Sequence, residues 1–263
     1  RAEGNLAPIY HYLSQPEITE AEASERFASI AGYTGCPGYI VHMTCEGALN
    51  AVRDNNRHNQ KVFAETCIQY LLLDASVYKQ NFEGAKWVMS PPLREKKDQE
   101  ALWAGINQGL VQVVATDHCP FTWEKKLLGK DDFSKIPNGH PAIEHRVELL
   151  YSEGVRKGRI TANKFVEVLS TNPAKIFGMF PQKGCIAPGS DADIVLFDPN
   201  QEHTISAATH HMNTDYSAYE GWKLTGKTKT VLLRGQVVVD EGKCLVEKRN
   251  GKYIKRNKVS QLI

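Results

Sequence analysis

The stretch LVQVVATDHCPF, residues 110–121, joins a valine-rich run to a cluster of ionisable side chains. The run has the β-branched composition of a buried strand, yet it ends on Asp117, His118 and Cys119. In α/β folds, binding groups collect where parallel strands end. The stretch therefore predicts a buried strand that brings an aspartate to the edge of a sheet and raises the question of what that aspartate does.

Strand-like and helix-like segments alternate on the N-terminal side of this stretch. Near-continuous apolar strands separated by amphipathic helices favour a parallel sheet covered by helices, so we predict an α/β protein. The strand-like segments are GYIVHM (residues 38–43) and QKVFAETC (60–67), and the helix-like segments are CEGALNAVRDNNRH (45–58) and DQEALWAGINQG (98–109). The apolar faces of these helices comprise Ala48, Leu49 and Val52 in the first and Leu102, Trp103 and Ile106 in the second.

The pattern changes after residue 142 and again after residue 180. Residues 142–178 have helical periodicity, with Thr161 and Asn172 suited to begin two short helices. Alternating strands and turns are then predicted in GSDADIVLFDP (189–199), TKTVLLRGQVVVDEGK (228–243) and GKYIKR (251–256), with a helical or irregular insert at 206–222. We predict a first domain over residues 1–180 and a β-rich module with a C-terminal tail over 181–263.

The composition excludes several classes of protein. The 263 residues are 41% hydrophobic and 24% charged, with a net charge of +2, as in an ordinary globular protein. No apolar run reaches the roughly 20 residues that span a bilayer, and the basic residues 247–258 suit a solvated terminus. We therefore expect neither a membrane nor a nucleic-acid partner. The six scattered cysteines and the absence of a secretory signal indicate reduced thiols and a cytoplasmic protein.

Two strand ends carry groups that can bind a metal. His42 ends one apolar run and Asp117 ends another, and an imidazole with a carboxylate suits a borderline divalent cation such as zinc. Each residue also has a simpler explanation, because a lone histidine can be structural and a lone aspartate can cap the next helix. Long loops that contain SPPLRE (90–95) and IPNG (136–139) are further places for binding groups.

Several motifs in order resemble one enzyme family. YIVHMT, WVMSPPLRE, VVATDHCPF, IPNGHPAIEHR, STNPAKIFGMFPQKG and HHMNTDYSAYEG resemble the dihydropyrimidinase and hydantoinase branch of the cyclic amidohydrolases. The resemblance implies the C-terminal part of a (β/α)8 metal-dependent hydrolase barrel plus a small β-sandwich. It also implies zinc-dependent ring opening of 5,6-dihydropyrimidines, such as dihydrouracil, or of 5-substituted hydantoins, to N-carbamoyl amino acids. Relatives of this kind are commonly homotetramers.

The resemblance assigns roles to four residues. It implies that His42 is a zinc ligand and that Asp117 is a second ligand and the proton shuttle. It implies that Ser90 and Asn138 hold the amide edge of the substrate, largely through main-chain groups. An ionised aspartate only accepts hydrogen bonds, so Asp117 can bind a metal and still take a proton from water.

The sequence departs from the family in its missing ligands. The family has two zinc ions per subunit, bridged by a carboxylated lysine, with a His-x-His pair and a further histidine, all earlier in the chain. The nine histidines include no His-x-His pair, and AEGN (residues 2–5) resembles the segment just after the missing histidine. We therefore expect a C-terminal portion of a longer protein. Two ligands cannot close a two-metal site, so the chain alone should be unstable and inactive.

Other functions stay open at this stage. Some relatives keep the fold without the metal ligands and act as scaffold proteins, and allantoinase or dihydroorotase is a third possibility. The presence of His42 and Asp117 favours the enzyme. His118 and Cys119 could form a nucleophilic pair, but adjacent strand residues point to opposite faces, so structural roles are expected for both.

Overall fold

The computed structural model of the protein describes residues 3–56, 62–246 and 251–257. The chain forms two compact units. The first comprises Arg1–Arg146 and Ile205–Trp222, and the second comprises Val147–Thr204 and Lys223–Ile263. The predicted division after residue 180 differs from these units, because the first unit ends earlier and also takes in the insert at 206–222. The two predicted domains stay a prediction about the complete protein.

The first unit alternates helices and strands, as an α/β fold requires. Its elements are α1 (Ile9–Leu13), α2 (Glu17–Thr34), β1 (Gly38–Ile40), α3 (Glu46–Asn56), β2 (Val62–Cys67), α4 (Ile68–Leu72), α5 (Lys96–Asn107), β3 (Val113–Ala115) and α6 (Trp123–Lys126). Short 3-10 helices cover Ala75–Lys79, Asn81–Trp87, Leu127–Gly129 and Phe133–Lys135. None of the helices within the described ranges is long and apolar enough to cross a membrane.

The three strands form a parallel sheet with β2 in the centre. β1 pairs with the first half of β2, where Gly38 lies opposite Val62. β3 pairs with the second half, where Val113 lies opposite Glu65. The two outer strands are therefore offset by three residues, or about 10 Å along β2. The parallel sheet confirms the predicted α/β class.

The strand of the opening stretch is shorter than its valine-rich run suggests. The N–H groups of Leu110 and Val111 donate to the carbonyl oxygen of Gly105 at 2.9 and 3.2 Å, so they finish the last turn of α5. Hydrogen bonding to β2 begins at Gln112, whose N–H donates to the Ala64 carbonyl at 3.0 Å. The prediction of a strand beginning at residue 110 was wrong at its start, because these amide groups satisfy the end of a helix.

The predicted helix faces pack on the sheet. All six apolar residues of these faces are buried, and all of them except Trp103 are completely inaccessible. Each large side chain among them contributes roughly 1.5–3 kcal/mol when it leaves water. Gly105 allows the approach of α5 to α3, because a β-carbon there would lie 2.9 Å from the Leu49 side chain.

The second unit combines short helices with an antiparallel sheet. Its elements are α7 (Arg146–Leu150), which begins at the last residue of the first unit, α8 (Ala162–Val166), α9 (Asn172–Ile176), β4 (Ile194–Thr204), β5 (Lys223–Leu233), β6 (Gln236–Asp240) and β7 (Lys243–Cys244). The strands pair in chain order. Thr161 caps α8 as predicted, by accepting from the Lys164 N–H. The predicted start of a second helix at Asn172 was wrong, because a π-helical segment, Glu167–Thr171, joins α8 to α9 without a break. The predicted strand at 251–256 was wrong, since those residues lie outside regular structure.

A glycine in β5 lets the aromatic core of this unit approach the sheet. Gly226 has a φ of +107°, and a β-carbon there would lie 2.3 Å from the Tyr151 ring and 2.8 Å from the Phe197 ring. These two rings contact each other edge to face, with centroids 4.7 Å apart. The packing therefore requires glycine at this position for both conformation and space.

Gly226→Ala should lower the free energy of unfolding by about 3 kcal/mol or more, because it adds a clash with two packed rings to backbone strain. Gly235→Ala is the matched control. Gly235 has a φ of +82° but no atom within 4 Å of an added β-carbon, so strain alone should cost about 1–2 kcal/mol. Urea unfolding of both variants measures the difference, and equal losses would contradict the packing role.

Candidate functional site

His42 and Asp117 lie at one edge of the parallel sheet. His42 follows the last residue of β1 by two positions, and Asp117 follows the last residue of β3 by two positions. Because β1 and β3 flank β2 and run parallel to it, their carboxyl ends meet at the same edge. The structure therefore brings the two predicted metal ligands to a common edge.

Both residues have a backbone conformation that side chains rarely adopt. The φ angle is 41° at His42 and 47° at Asp117. The left-handed region costs a residue with a β-carbon on the order of 1–2 kcal/mol. Strain of this kind persists only where the surroundings enforce it, and it is concentrated at functional sites. Asn81, Arg234 and Glu241 also have a positive φ, so the two bends support a site through their shared position at the edge of the sheet and not through their conformation alone.

Hydrogen bonds from β2 and α4 to the main chain hold the two bends. The N–H of Met43 donates to the Glu65 carbonyl at 2.7 Å, and the hydroxyl of Thr66 donates to the Met43 carbonyl at 2.7 Å. On the other side, the amide of Gln69 donates to the Thr116 carbonyl at 3.0 Å. The residue after His42 and the residue before Asp117 are thus both tied to the central strand and the helix that follows it.

The side chains of the two residues are open to a ligand. His42 is half-buried and Asp117 is exposed. An imidazole nitrogen and a carboxylate are both suitable ligands for zinc, so this donor set fits the metal that the resemblance implies. Within the described part of the chain, no group of three or more histidine, cysteine or acidic residues could hold a metal ion. These residues could therefore supply at most part of a metal's ligand set.

A carboxylate inside β2 lies near the same edge, although the sequence analysis did not single it out. Glu65 accepts a hydrogen bond from the Tyr39 hydroxyl at 2.7 Å, and burial together with this bond raises the pKa of Tyr39. Burial also raises the pKa of the Cys67 thiol, and the nearby carboxylates of Glu65 and Asp117 add to that rise. Cys67 is therefore a neutral thiol, unsuited to act as a nucleophile.

Ser90 and Asn138 are exposed residues on two loops that contact each other. The N–H of Gly139 donates to the Val88 carbonyl at 3.0 Å, which joins the loops next to both residues. A β-carbon on Gly139 would lie 2.2 Å from the Cys119 carbonyl oxygen, so only glycine fits there. The structure therefore brings the two predicted substrate-binding residues together, beside the segment that follows β3.

His118 and Cys119 have structural contacts. The Nδ1 atom of His118 accepts hydrogen bonds from the N–H groups of Ala142 and Ile143 at 3.2 and 3.3 Å. The N–H of Cys119 donates to the His140 carbonyl at 3.2 Å. These bonds join the end of the opening stretch to the loop after Asn138, which agrees with the structural roles we expected for both residues.

Arg94 links the loop of Ser90 to the bend at His42. Its side chain is 4% exposed, and its Nε donates to the Thr44 hydroxyl at 2.9 Å while Nη2 donates to Glu20 at 3.1 Å. Glu20 in α2 also accepts from the Thr44 N–H at 2.7 Å. The sequence placed Arg94 in the SPPLRE motif, but only the fold shows its partners.

Lys126 is a second buried cation that the sequence analysis missed. Its side chain is completely inaccessible, whereas the adjacent Lys125 is exposed. Nothing in the sequence distinguishes two successive lysines, because each is an ordinary helix-forming residue. Contacts with distant segments decide which of them points inward, because the acceptors of Lys126 belong to Val88, Pro137 and Gly139.

His140 is a neutral histidine beneath the loop of Asn138. Its Nε2 shares a hydrogen bond with the Tyr219 hydroxyl at 3.1 Å. Burial lowers the pKa of His140 to about 3, and the positive charges of Lys126 and His118 act in the same direction. The loop therefore depends on a histidine that stays uncharged over the physiological range of pH.

Known proteins that are similar to this chain belong to the family that its motifs resemble. The chain matches the sequence profile of the amidohydrolase family over residues 24–238. It is 48% identical over 263 residues to a D-hydantoinase of Geobacillus stearothermophilus. That alignment covers 99% of this chain and 56% of the D-hydantoinase. It is also 48% identical over 262 residues to a D-hydantoinase of Ralstonia pickettii, covering 99% and 57% of the two proteins.

Solved structures agree with the sequence comparison. The crystal structure of dihydropyrimidinase from Brevibacillus agri NCHU1002 superposes with a TM-score of 0.95 at 49% sequence identity. The match covers 97% of this chain and 56% of that one. The chain thus spans just over half of the length of the relatives that it matches.

The buried His140 should make the protein less stable in acid. Between pH 6.5 and about 3 the unfolded chain holds a proton on this histidine that the folded protein lacks, so the free energy of unfolding falls as the pH is lowered. His140 alone contributes a slope of up to roughly 1.4 kcal/mol per pH unit in this window. Urea unfolding at several pH values should show a smaller slope for His140→Gln.

The control is His211→Gln, which makes the same exchange at a histidine whose side chain is 70% exposed. Between pH 6.5 and about 5 the pH slope of this variant should follow that of the unaltered protein, whereas at lower pH the variant also loses the His211 contact that lowers the pKa of Glu144. An unchanged slope in His140→Gln would show that a neutral His140 is not the cause of the loss of stability in acid.

Proposed function

The chain belongs to the amidohydrolase family, and we propose that it supplies part of the active site of a metal-dependent enzyme that opens cyclic amides by hydrolysis. The substrate class is a 5,6-dihydropyrimidine or a 5-substituted hydantoin, and the product is an N-carbamoyl amino acid. The observation that carries the proposal is the pair of matched bends, which present His42 and Asp117 at one edge of the sheet. The activities for which the relatives are named, D-hydantoinase and dihydropyrimidinase, support the substrate class.

Zinc is the metal that we propose for this site. His42 and Asp117 would be two of its ligands, because both belong to the donor types that zinc prefers. The remaining ligands, including a carboxylated lysine that bridges two ions, would come from a part of the protein upstream of this chain. When bound, zinc ions activate water at neutral pH and polarise an amide carbonyl.

Asp117 has the chemistry of a proton shuttle in such a reaction. A carboxylate oxygen that does not contact a metal can accept the proton of the attacking water as the new C–O bond forms. The same oxygen can return the proton to the ring nitrogen as the C–N bond breaks, so the ring opens without a charged nitrogen leaving group. The exposed position of Asp117 at the end of β3 suits this exchange.

Ser90 and Asn138 would orient the ring. A cyclic imide presents N–H and C=O groups in one plane, and main-chain groups of two joined loops can match that edge. The bond between Gly139 and Val88 keeps the loops together. Their position beside the segment that follows Asp117 is consistent with a ring lying over the aspartate.

The first unit has features of an incomplete barrel. Within the described residues β1 pairs on one side only, with β2, and the stagger of β1 and β3 is typical of strands that tilt around a barrel axis. α2 exposes Ile18, Ile30 and Tyr33 by 69%, 58% and 94%. We propose that the first unit is the C-terminal part of a (β/α)8 barrel and that β4–β7 belong to a small β-sandwich. A cytoplasmic homotetramer stays a prediction.

Asp117→Ala in the complete protein should lower kcat for dihydrouracil by at least about 10³-fold, because the proton acceptor and one metal ligand are both lost. Zinc content, measured by mass spectrometry, should fall as well. Asp131→Ala removes an exposed aspartate of the loop before IPNG and should leave both measurements unchanged. Near-normal turnover in Asp117→Ala would overturn the assignment.

The 263-residue chain by itself should hold fewer than two zinc ions and should not hydrolyse dihydrouracil, because the described residues contain no third ligand next to His42 and Asp117. The comparison is with the complete protein, prepared and loaded with zinc in the same way. Two tightly held ions together with turnover in the short chain would contradict the proposal that further ligands lie upstream.

A further inference from the structure

We propose that Lys126 is a positioning residue, which holds the main chain on both sides of Asn138 and thereby fixes the groups that receive the substrate ring. The inference rests on the proposed function for its catalytic consequence. Its structural part stands on contacts within the first unit alone. Nothing in the resemblance assigns a role to this lysine.

Three carbonyl oxygens converge on the ammonium group of Lys126. Its Nζ donates to the carbonyls of Val88 at 2.9 Å, Pro137 at 2.7 Å and Gly139 at 3.0 Å. A lysine ammonium has three N–H donors and no acceptor, so the three bonds use its full capacity. No neutral side chain of similar length could satisfy three carbonyls at one point.

The charge of Lys126 is buried with no carboxylate in an ion pair with it, as far as the described residues extend. The ring of Phe121 lies under the ammonium, with 5.7 Å between Nζ and its centroid. Burial lowers the pKa of Lys126 to about 7, against the smaller opposing effect of Cys119. The three carbonyl acceptors favour the charged form, which alone has three N–H donors for them. An apolar residue would avoid this cost of burial, so the lysine is explained by what it binds and not by the packing.

The acceptors flank Asn138 on both sides and lie close before Ser90. Pro137 and Gly139 are the neighbours of Asn138 on either side, and Val88 lies two residues before Ser90. One nitrogen atom therefore holds the loop of Asn138 and the loop of Ser90 at a fixed distance. The Gly139 N–H, which donates to the Val88 carbonyl at 3.0 Å, adds a second link between the same loops.

These bonds orient both peptide groups of Asn138. In a trans peptide the C=O and N–H point in opposite directions. Because the Pro137 carbonyl points at Lys126, the Asn138 N–H points away from it. Because the Gly139 N–H points at Val88, the Asn138 carbonyl points away from Val88. The main chain of Asn138 is thus held with its donor and its acceptor directed outward from the buried lysine, available to a planar imide.

Lys126→Met in the complete, zinc-loaded protein tests the proposal. The substitution keeps the length of the side chain and removes every donor. KM for dihydrouracil should rise at least about tenfold while kcat changes by less than about threefold, because ring binding is weakened in the ground state and the transition state alike. Zinc content should stay the same, and amide hydrogen exchange at Gly139 should become faster.

Lys125→Met is the matched control. It makes the same change one residue away, at an exposed lysine of the same helix, and it should leave KM, kcat, zinc content and exchange unchanged. An unchanged KM in Lys126→Met would overturn the proposal, as would a loss of zinc equal to the loss of activity, which would place the effect at the metal.

Two further measurements keep the test decisive. If Lys126→Met does not fold, Lys126→Gln retains two N–H donors and should give a smaller rise in KM; failure of both to fold would overturn the proposal, since it would assign the lysine to folding alone. If the unaltered protein hydrolyses no cyclic amide, the proposed function fails. Exchange at Gly139 then decides whether Lys126 holds the loop, and unchanged exchange would refute that.

Discussion

The parallel pairing of β1 and β3 with β2 is the constraint on which the candidate site depends. Two strands of three residues each would be marginal alone, and β2 gives them a common template. Because parallel strands end at the same edge, residues 75 positions apart in sequence reach one edge of the sheet. The loops after the strands can then vary without moving that edge, which is why such folds place their chemistry there.

A second layer of buried polar contacts supports this edge from beneath. Arg94 joins α2 to the loop that follows β1, and Lys126 joins the two loops that bear Ser90 and Asn138. Neither contact adds much net stability, since charges lose hydration when they are buried. They fix the orientation of the loops instead, because a charged donor with several acceptors tolerates few alternative arrangements of the groups around it.

The sequence predicted the local features of the fold better than the long-range ones. Period and composition identified β2 and the buried faces of α3 and α5, because burial imposes a repeat that is visible in one segment. The start of β3 was misplaced because the last turn of α5 competes for the same amide groups. The inward turn of Lys126, and the membership of residues 206–222 in the first unit, depend on contacts between distant segments. The positions of His42 and Asp117 at strand ends could be predicted, but their left-handed backbone could not.

The bends at residues 42 and 117 also bear on how sequences of this kind diverge. A left-handed backbone is easiest for glycine and next for asparagine, so the histidine and the aspartate at these bends keep strain that glycine would relieve. A descendant that no longer used an imidazole and a carboxylate would drift towards glycine or asparagine at both places and relieve strain without moving the strands. The residues at these two positions therefore record whether selection still acts on the chemistry of the site.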